Sequence, residues 1–168
     1  MRKLILLFCI IGLCVPAFAV AADPGTSAQQ QCAAERTAMG SDAFKALYGT
    51  NGNKSNAFGK CVSKRAQANE QSQSNAAAQC RTERAADPAA FKTKYGTGKN
   101  GANAFGKCVS GKAKAAEAAG VKATENAAKS CWTERNADPA AFKAKYGTGP
   151  NKANAFGKCV SGKVKHTK

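Results

Sequence analysis

The chain has 168 residues and a formal net charge of +16, from 26 Lys and Arg against 10 Asp and Glu. That length suits one domain or an array of small units and excludes several large ones. Much of the hydrophobic fraction is alanine: beyond residue 22 the Leu, Ile, Val and Phe side chains are only Leu47, five Val and six Phe in 146 residues, which excludes a single large core and would leave the chain disordered but for the six cysteines in the same stretch, since covalent staples replace missing burial.

Residues 1–22 read as a signal peptide. Met1-Arg2-Lys3 is a positive start, residues 4–15 are an apolar run, and Ala17-Phe18-Ala19 supplies small residues at −3 and −1 of a cleavage site, with Val20-Ala21-Ala22 as a second choice. The run is too short for a membrane-spanning helix, and no later stretch is apolar enough. The mature protein is therefore expected to be secreted or periplasmic, in an oxidising space. Loss of Arg2 and Lys3 leaves it a net charge of +14.

Beyond the leader, one unit is written three times. Copy one carries Cys32, Glu35-Arg36, Phe44, Tyr48-Gly49-Thr50 and Asn56-Ala-Phe58-Gly-Lys60-Cys61-Val62-Ser63. Copy two repeats this as Cys80, Glu83-Arg84, Phe91, Tyr95-Gly96-Thr97 and Asn103 to Ser110, and copy three as Cys131, Glu134-Arg135, Phe142, Tyr146-Gly147-Thr148 and Asn154 to Ser161. The tyrosine lies 13 residues before the second cysteine each time. Asp87-Pro88 and Asp138-Pro139 start a helix in copies two and three, a capping carboxylate followed by proline at the first helical position. Phe and Tyr four apart then share one face, and Gly96 or Gly147 stands where a left-handed C-terminal cap belongs. Turns rich in Gly, Asn and Lys occupy residues 50–55, 97–102 and 148–153. Asn56, Asn103 and Asn154 are candidate caps of the next helix, on which Phe, Cys and Val recur at one face.

The expected fold is all-α: three tandem disulfide-stapled helical repeats of about 50 residues each. The boundaries are repeat 1 at 23–65, repeat 2 at 80–112, repeat 3 at 131–163 and a basic tail at 164–168. The joining stretches 66–79 and 113–130 are either linkers or continuations of the flanking helices. They are polar nearly all round, so they would be marginal helices on their own, with breaks expected at 72–75 and Gly120.

Six cysteines permit 15 pairings. One staple per copy is expected: Cys32–Cys61, Cys80–Cys108 and Cys131–Cys159, separated by 29, 28 and 28 residues. The rival link from Cys61 to Cys80 fails if the intervening 19 residues are helical, because they then span about 28 Å. No Cys-x-x-Cys occurs and the one histidine, His166, is in the tail, so neither a metal site nor a thioredoxin-like site is expected.

The recurring Glu35-Arg36, Glu83-Arg84 and Glu134-Arg135 read as structural pairs, with the arginine capping carbonyls of the short helix. No recurring histidine could serve as a base for a serine nucleophile, and Asp87 and Asp138 are used as caps, so no enzyme and no cofactor is expected. The turns hold no acid for calcium. Lys54, Lys99 and Lys152 beside them could help cradle an anion, although no strand or P-loop pattern surrounds them. The strongest binding signal is the repetition of cations: Lys60, Lys107 and Lys158 at one position, Lys45, Lys92 and Lys143 at another. These are candidate contacts for an anionic polymer or envelope component. The six phenylalanines look committed to three small local cores, which argues against sequence-specific nucleic-acid reading. Competing readings are a structural secreted protein without a ligand and a cationic antimicrobial, the latter weakened by the lack of a broad apolar stripe.

Overall fold

The computed structural model describes residues 27–166, so the expected leader lies outside the described residues. Seven helices and no strand occur among them: α1 (Ala28–Met39), α2 (Ser41–Tyr48), α3 (Ala57–Ala86), α4 (Pro88–Tyr95), α5 (Ala104–Ala137), α6 (Pro139–Tyr146) and α7 (Ala155–His166). The disulfides are Cys32–Cys61, Cys80–Cys108 and Cys131–Cys159, with Cα atoms 5.9, 6.1 and 6.1 Å apart. Each ties the helix bearing Cys-x-x-Glu-Arg to the helix bearing the second cysteine, with the short helix packed between.

Local chemistry explains three of the helix starts. Ser27 and Gln30 form a reciprocal capping box at α1. Asp87 Oδ1 accepts from the N–H of Ala89 and Ala90, and Asp138 Oδ1 from Ala140 and Ala141, each with proline at the first position. Copy one lacks Asp-Pro and enters α2 from Gly40 at φ 83°, without a side-chain cap.

Two expectations about the turns are corrected. Gly49, Gly96 and Gly147 are not left-handed; their φ values are −71°, −73° and −78°. Glycine is needed there because the loop folds back on it: a Cβ at Gly147 would sit 2.5 Å from the Lys143 carbonyl oxygen and closer still to the Lys152 Cβ. Positive φ comes five positions later, at Lys54, Gly101 and Lys152, and also two positions later at Gly98 and Gly149. Nor do the side chains of Asn56 and Asn103 cap α3 and α5. Asn103 Oδ1 accepts from Thr97 N–H at 2.9 Å while its Nδ2 donates to Thr97 Oγ1 at 2.6 Å, and Asn56–Thr50 and Asn154–Thr148 repeat the clamp. The side chain that closes the loop is thereby unavailable to the helix end.

Both joining stretches are helical. The third helix of one copy continues into the first of the next, giving α3 of 30 and α5 of 34 residues, unbroken through 72–75 and Gly120. The final helix likewise takes in the start of the expected tail. Tertiary contact supplies what the polar sequences lack. The helices α3 and α5 run antiparallel: Cys80 is bonded to Cys108, and farther along Arg65 lies against Gly120. Ala76 and Ala113 are buried on these helices. Copy two therefore sits at the tip of a helical hairpin, and copies one and three meet at its other end.

Three core clusters form, one centred on each copy, and those of copies one and three touch. Copy two keeps its own, made of Cys80, Phe91, Ala104 and Cys108 with Tyr95, Phe105 and Val109 against it. Copy one has Cys32, Phe44, Tyr48, Ala57 and Cys61 with Val62 against them; copy three has Cys131, Phe142, Phe156, Cys159 and Val160, joined by Ala43 of copy one, and Met39 and Leu47 pack on both. Not all the phenylalanines are enclosed, since Phe58 is 37% exposed and Phe105 half-buried.

Candidate functional site

A glutamate, a tyrosine and a cation meet in every copy. The glutamate stands three residues after the first cysteine, the cation four after the second, and the tyrosine ends the short helix, so the disulfide brings the three together. In copy two Glu83 accepts from the Tyr95 hydroxyl at 3.0 and 3.1 Å, with Lys94 Nζ at 2.6 Å and Lys112 Nζ at 3.5 Å. Copy three repeats this with Glu134, Tyr146, Lys145 at 2.7 Å and Lys163 at 3.6 Å. In copy one Glu35 is wholly buried, accepts from Tyr48, and is paired with Arg65 Nε.

The adjacent arginines do something else. Arg84 lies over the Phe105 ring, 5.0 Å from its centroid, and Arg135 over Trp132 at 4.6 Å, as cation–π contacts. Sequence reasoning therefore found the glutamates but assigned them the wrong neighbour. The recurrence of Arg65, Lys112 and Lys163 four residues after the second cysteine was the signal that would have found the right one.

These clusters hold protons in fixed places. The Lys94 ammonium, then the Tyr95 hydroxyl, keep the Glu83 carboxyl below its ordinary value; Lys145 and Tyr146 do the same to Glu134. Hydrogen bonding to Glu83 holds Lys94 up. Burial, and after it the bond to Glu35, push the Tyr48 phenol up. In copy one the buried carboxylate, its donors and a phenol held neutral make a structural lock. Among the described residues no group of three or more His, Cys, Asp and Glu could hold a metal ion.

The six recurring lysines are all exposed, and none makes an ion pair among the described residues. They divide by position. Lys45, Lys92 and Lys143 stand near the C-terminal ends of the short helices, where the macrodipole favours a cation. Lys60, Lys107 and Lys158 are each the fourth residue of α3, α5 and α7, at the positive end, with no acid in the first turn. There a cation works against the helix. Lys54 and Lys152 lie in the turns in the left-handed conformation, each with its Cβ against a glycine.

No protein family, curated protein or solved structure matches the chain. Among the described residues no helix is long and apolar enough to cross a membrane.

Proposed function

We propose that the chain is a secreted, non-enzymatic basic module that binds anionic polymers, with the cell envelope as its natural setting. The arrangement of charge carries this reading. Glu35, Glu83 and Glu134 are consumed by tyrosines and cations inside the copies, and Asp87 and Asp138 by helix ends. Six equivalent lysines are left exposed, without an ion pair among the described residues. Three of them add to the positive ends of helices, so side chain and backbone attract the same anion. Lysines at helix C-termini stabilise the fold by themselves; lysines at N-termini oppose it, and a ligand accounts for them better than stability does. Three disulfides fit the oxidising compartment that the leader implies.

The test is the salt dependence of binding to random-sequence duplex DNA and to polyphosphate. Each phosphate neutralised contributes about −0.9 to the log–log slope on duplex DNA. Replacing Lys60, Lys107 and Lys158 together with glutamate should reduce the DNA slope by about 2–3, while the same change at Lys45, Lys92 and Lys143 should reduce it less. Glutamate in a first turn supports the helix, so lost binding in the first variant is not lost folding. An absence of binding to either polymer at low salt, or a slope indifferent to the first set, would overturn the proposal.

A further inference from the structure

The phenylalanine three residues before the second cysteine is Phe58, Phe105 or Phe156. Phe58 and Phe156 stand in the same place in their copies: Phe58 lies 6.4 Å from Phe44 with the rings at 39°, and Phe156 lies 6.5 Å from Phe142 at 41°. What covers the ring differs from copy to copy. In copy three Trp132, the residue after the first cysteine, meets Phe156 at 84° with ring centroids 5.9 Å apart, and Arg135 lies on the indole at 4.6 Å. In copy two Arg81 replaces the tryptophan, and Arg84, the equivalent of Arg135, lies directly over Phe105 at 5.0 Å.

Copy one has neither cover. Ala33 stands where copy three has Trp132, so its side chain puts no ring beside Phe58. Arg36, the equivalent of Arg84 and Arg135, is exposed, and its guanidinium makes no ion pair or ring contact among the described residues. Phe58 is in consequence the one large apolar side chain left exposed among the described residues. The staple that brings these positions together is equivalent, with Cα atoms 5.9 Å apart in copy one and 6.1 Å in copy three. The place bounded by Ala33, Arg36 and Phe58 is therefore the one that an indole fills in copy three: a flat ring fits it, with an aromatic neighbour on one side and a guanidinium for its face.

We propose that this place in copy one takes a base of single-stranded nucleic acid, held between Phe58 and Arg36, so that the chain prefers single strands to polyanions without rings. This rests on the polyanion binding proposed above: the lysines gather the polymer, and the open place selects one whose repeating unit carries a ring. Local charge favours a nucleotide over a neutral or cationic aromatic ligand. Glu35 is buried and paired, which leaves Asp42 as the one exposed acid of α1 and α2, against Arg36 and Lys45 on the same helices and Lys54 and Lys60 just beyond. Bases in a duplex are stacked on one another and cannot enter, whereas those of a single strand can. Stacking accepts every base, because each has a π-face, so the site adds strand selection without sequence reading.

The experiment measures, by fluorescence anisotropy, binding of the mature chain to labelled oligothymidylate about 12 nucleotides long, within the site sizes of stacking modules, and to an abasic oligomer of the same length and charge. Oligothymidylate should bind about fivefold or more tightly than the abasic oligomer, the yield of one stacked base. Ala33→Leu fills the place with a side chain that has no π-face, and Phe58→Leu removes the ring while keeping an apolar side chain beside Phe44. Each should remove the difference while leaving the abasic affinity, its salt slope and the circular dichroism unchanged. Both positions are exposed, and either variant that folds decides the matter. Equal affinity of the native chain for the two oligomers overturns the ring site and leaves polyanion binding standing. A difference that survives in a folded variant overturns the assignment to Phe58 and Ala33. Tighter binding of an acidic, tryptophan-bearing peptide of matched charge than of oligothymidylate overturns it in favour of a protein partner. No binding of either oligomer at low salt overturns the ring site and polyanion binding together.

Discussion

Glu35 and Glu83 hold the same place in their copies, yet only Glu35 is out of water; the Glu83 side chain is 31% exposed. The consequence of removing them should differ accordingly. Glu35→Ala strands a buried guanidinium and should cost about 3–5 kcal/mol, the usual toll for breaking a buried pair. Glu83→Ala leaves its lysines in reach of solvent and should cost far less; urea denaturation of the two variants makes the comparison. The same clusters set the pH range of stability. Glu83 and Glu134 are held low in the folded state, so their contribution is complete above the unfolded value near pH 4.3 and is lost as pH falls through the folded one. Tyr48 is held high, so its contribution is complete below the unfolded value near pH 10 and is lost as pH rises toward the folded one. Thermal melts should therefore show a plateau between about pH 5 and pH 9.5, and Tyr48→Phe should soften the alkaline edge without moving the acid one.

Glycines at two kinds of position act in opposite directions on the elements. Gly49, Gly96 and Gly147 end short helices where the returning loop touches them, so a methyl group has nowhere to go. Gly147→Ala should cost about 1–3 kcal/mol as overpacking does. Gly111 lies inside α5 with nothing within 4 Å of a Cβ. Gly111→Ala should stabilise by about 0.5–1 kcal/mol, through helix entropy alone. Chemical denaturation reads both, and a destabilising Gly111→Ala would contradict the open space around this helical glycine. The Thr–Asn clamp explains why the loops can be so polar and still hold one shape: each asparagine satisfies two groups of the loop, one on the backbone and one on a side chain.

The three copies are not equally separate: copy one packs on copy three, and copy two stands apart. Leu47 is the clearest cause. The other copies have Lys94 and Lys145 at its position, bonded to glutamate, whereas Leu47 packs against the cores of both copy one and copy three. Leu47→Lys should cost about 2 kcal/mol or more. It should also separate the hydrogen-exchange protection of copies one and three, which in the native chain should open together, with copy two opening independently. Protection lost equally across all three copies in that variant would contradict this packing of copy one on copy three. Replacing Cys80 and Cys108 with serine should leave copies one and three protected, because their cores contain nothing from copy two.

Periodicity and punctuation were enough to read the all-α class, the three copies and the cysteine pairs, because each depends on contacts within about 30 residues and on caps that act over three or four. Asp-Pro starts and the Phe–Tyr face are of that local kind. The sequence also placed glycine and asparagine correctly at the turns while leaving their roles open: a close approach and a left-handed cap both call for glycine, and only the path of the returning loop tells them apart. The joining stretches were undecidable from their own residues. A polar, alanine-rich segment is marginal as a lone helix and stable when alanines from a second such segment pack against it. That partner lies on another helix, forty or more residues away at the level of Arg65 and Gly120. The packing of copy one on copy three and the burial of Glu35 both result from how the hairpin folds back. Each departs from the repeat by a single residue type, Leu for Lys or Arg for Lys, whose meaning appears only once the neighbour supplied by tertiary structure is in place.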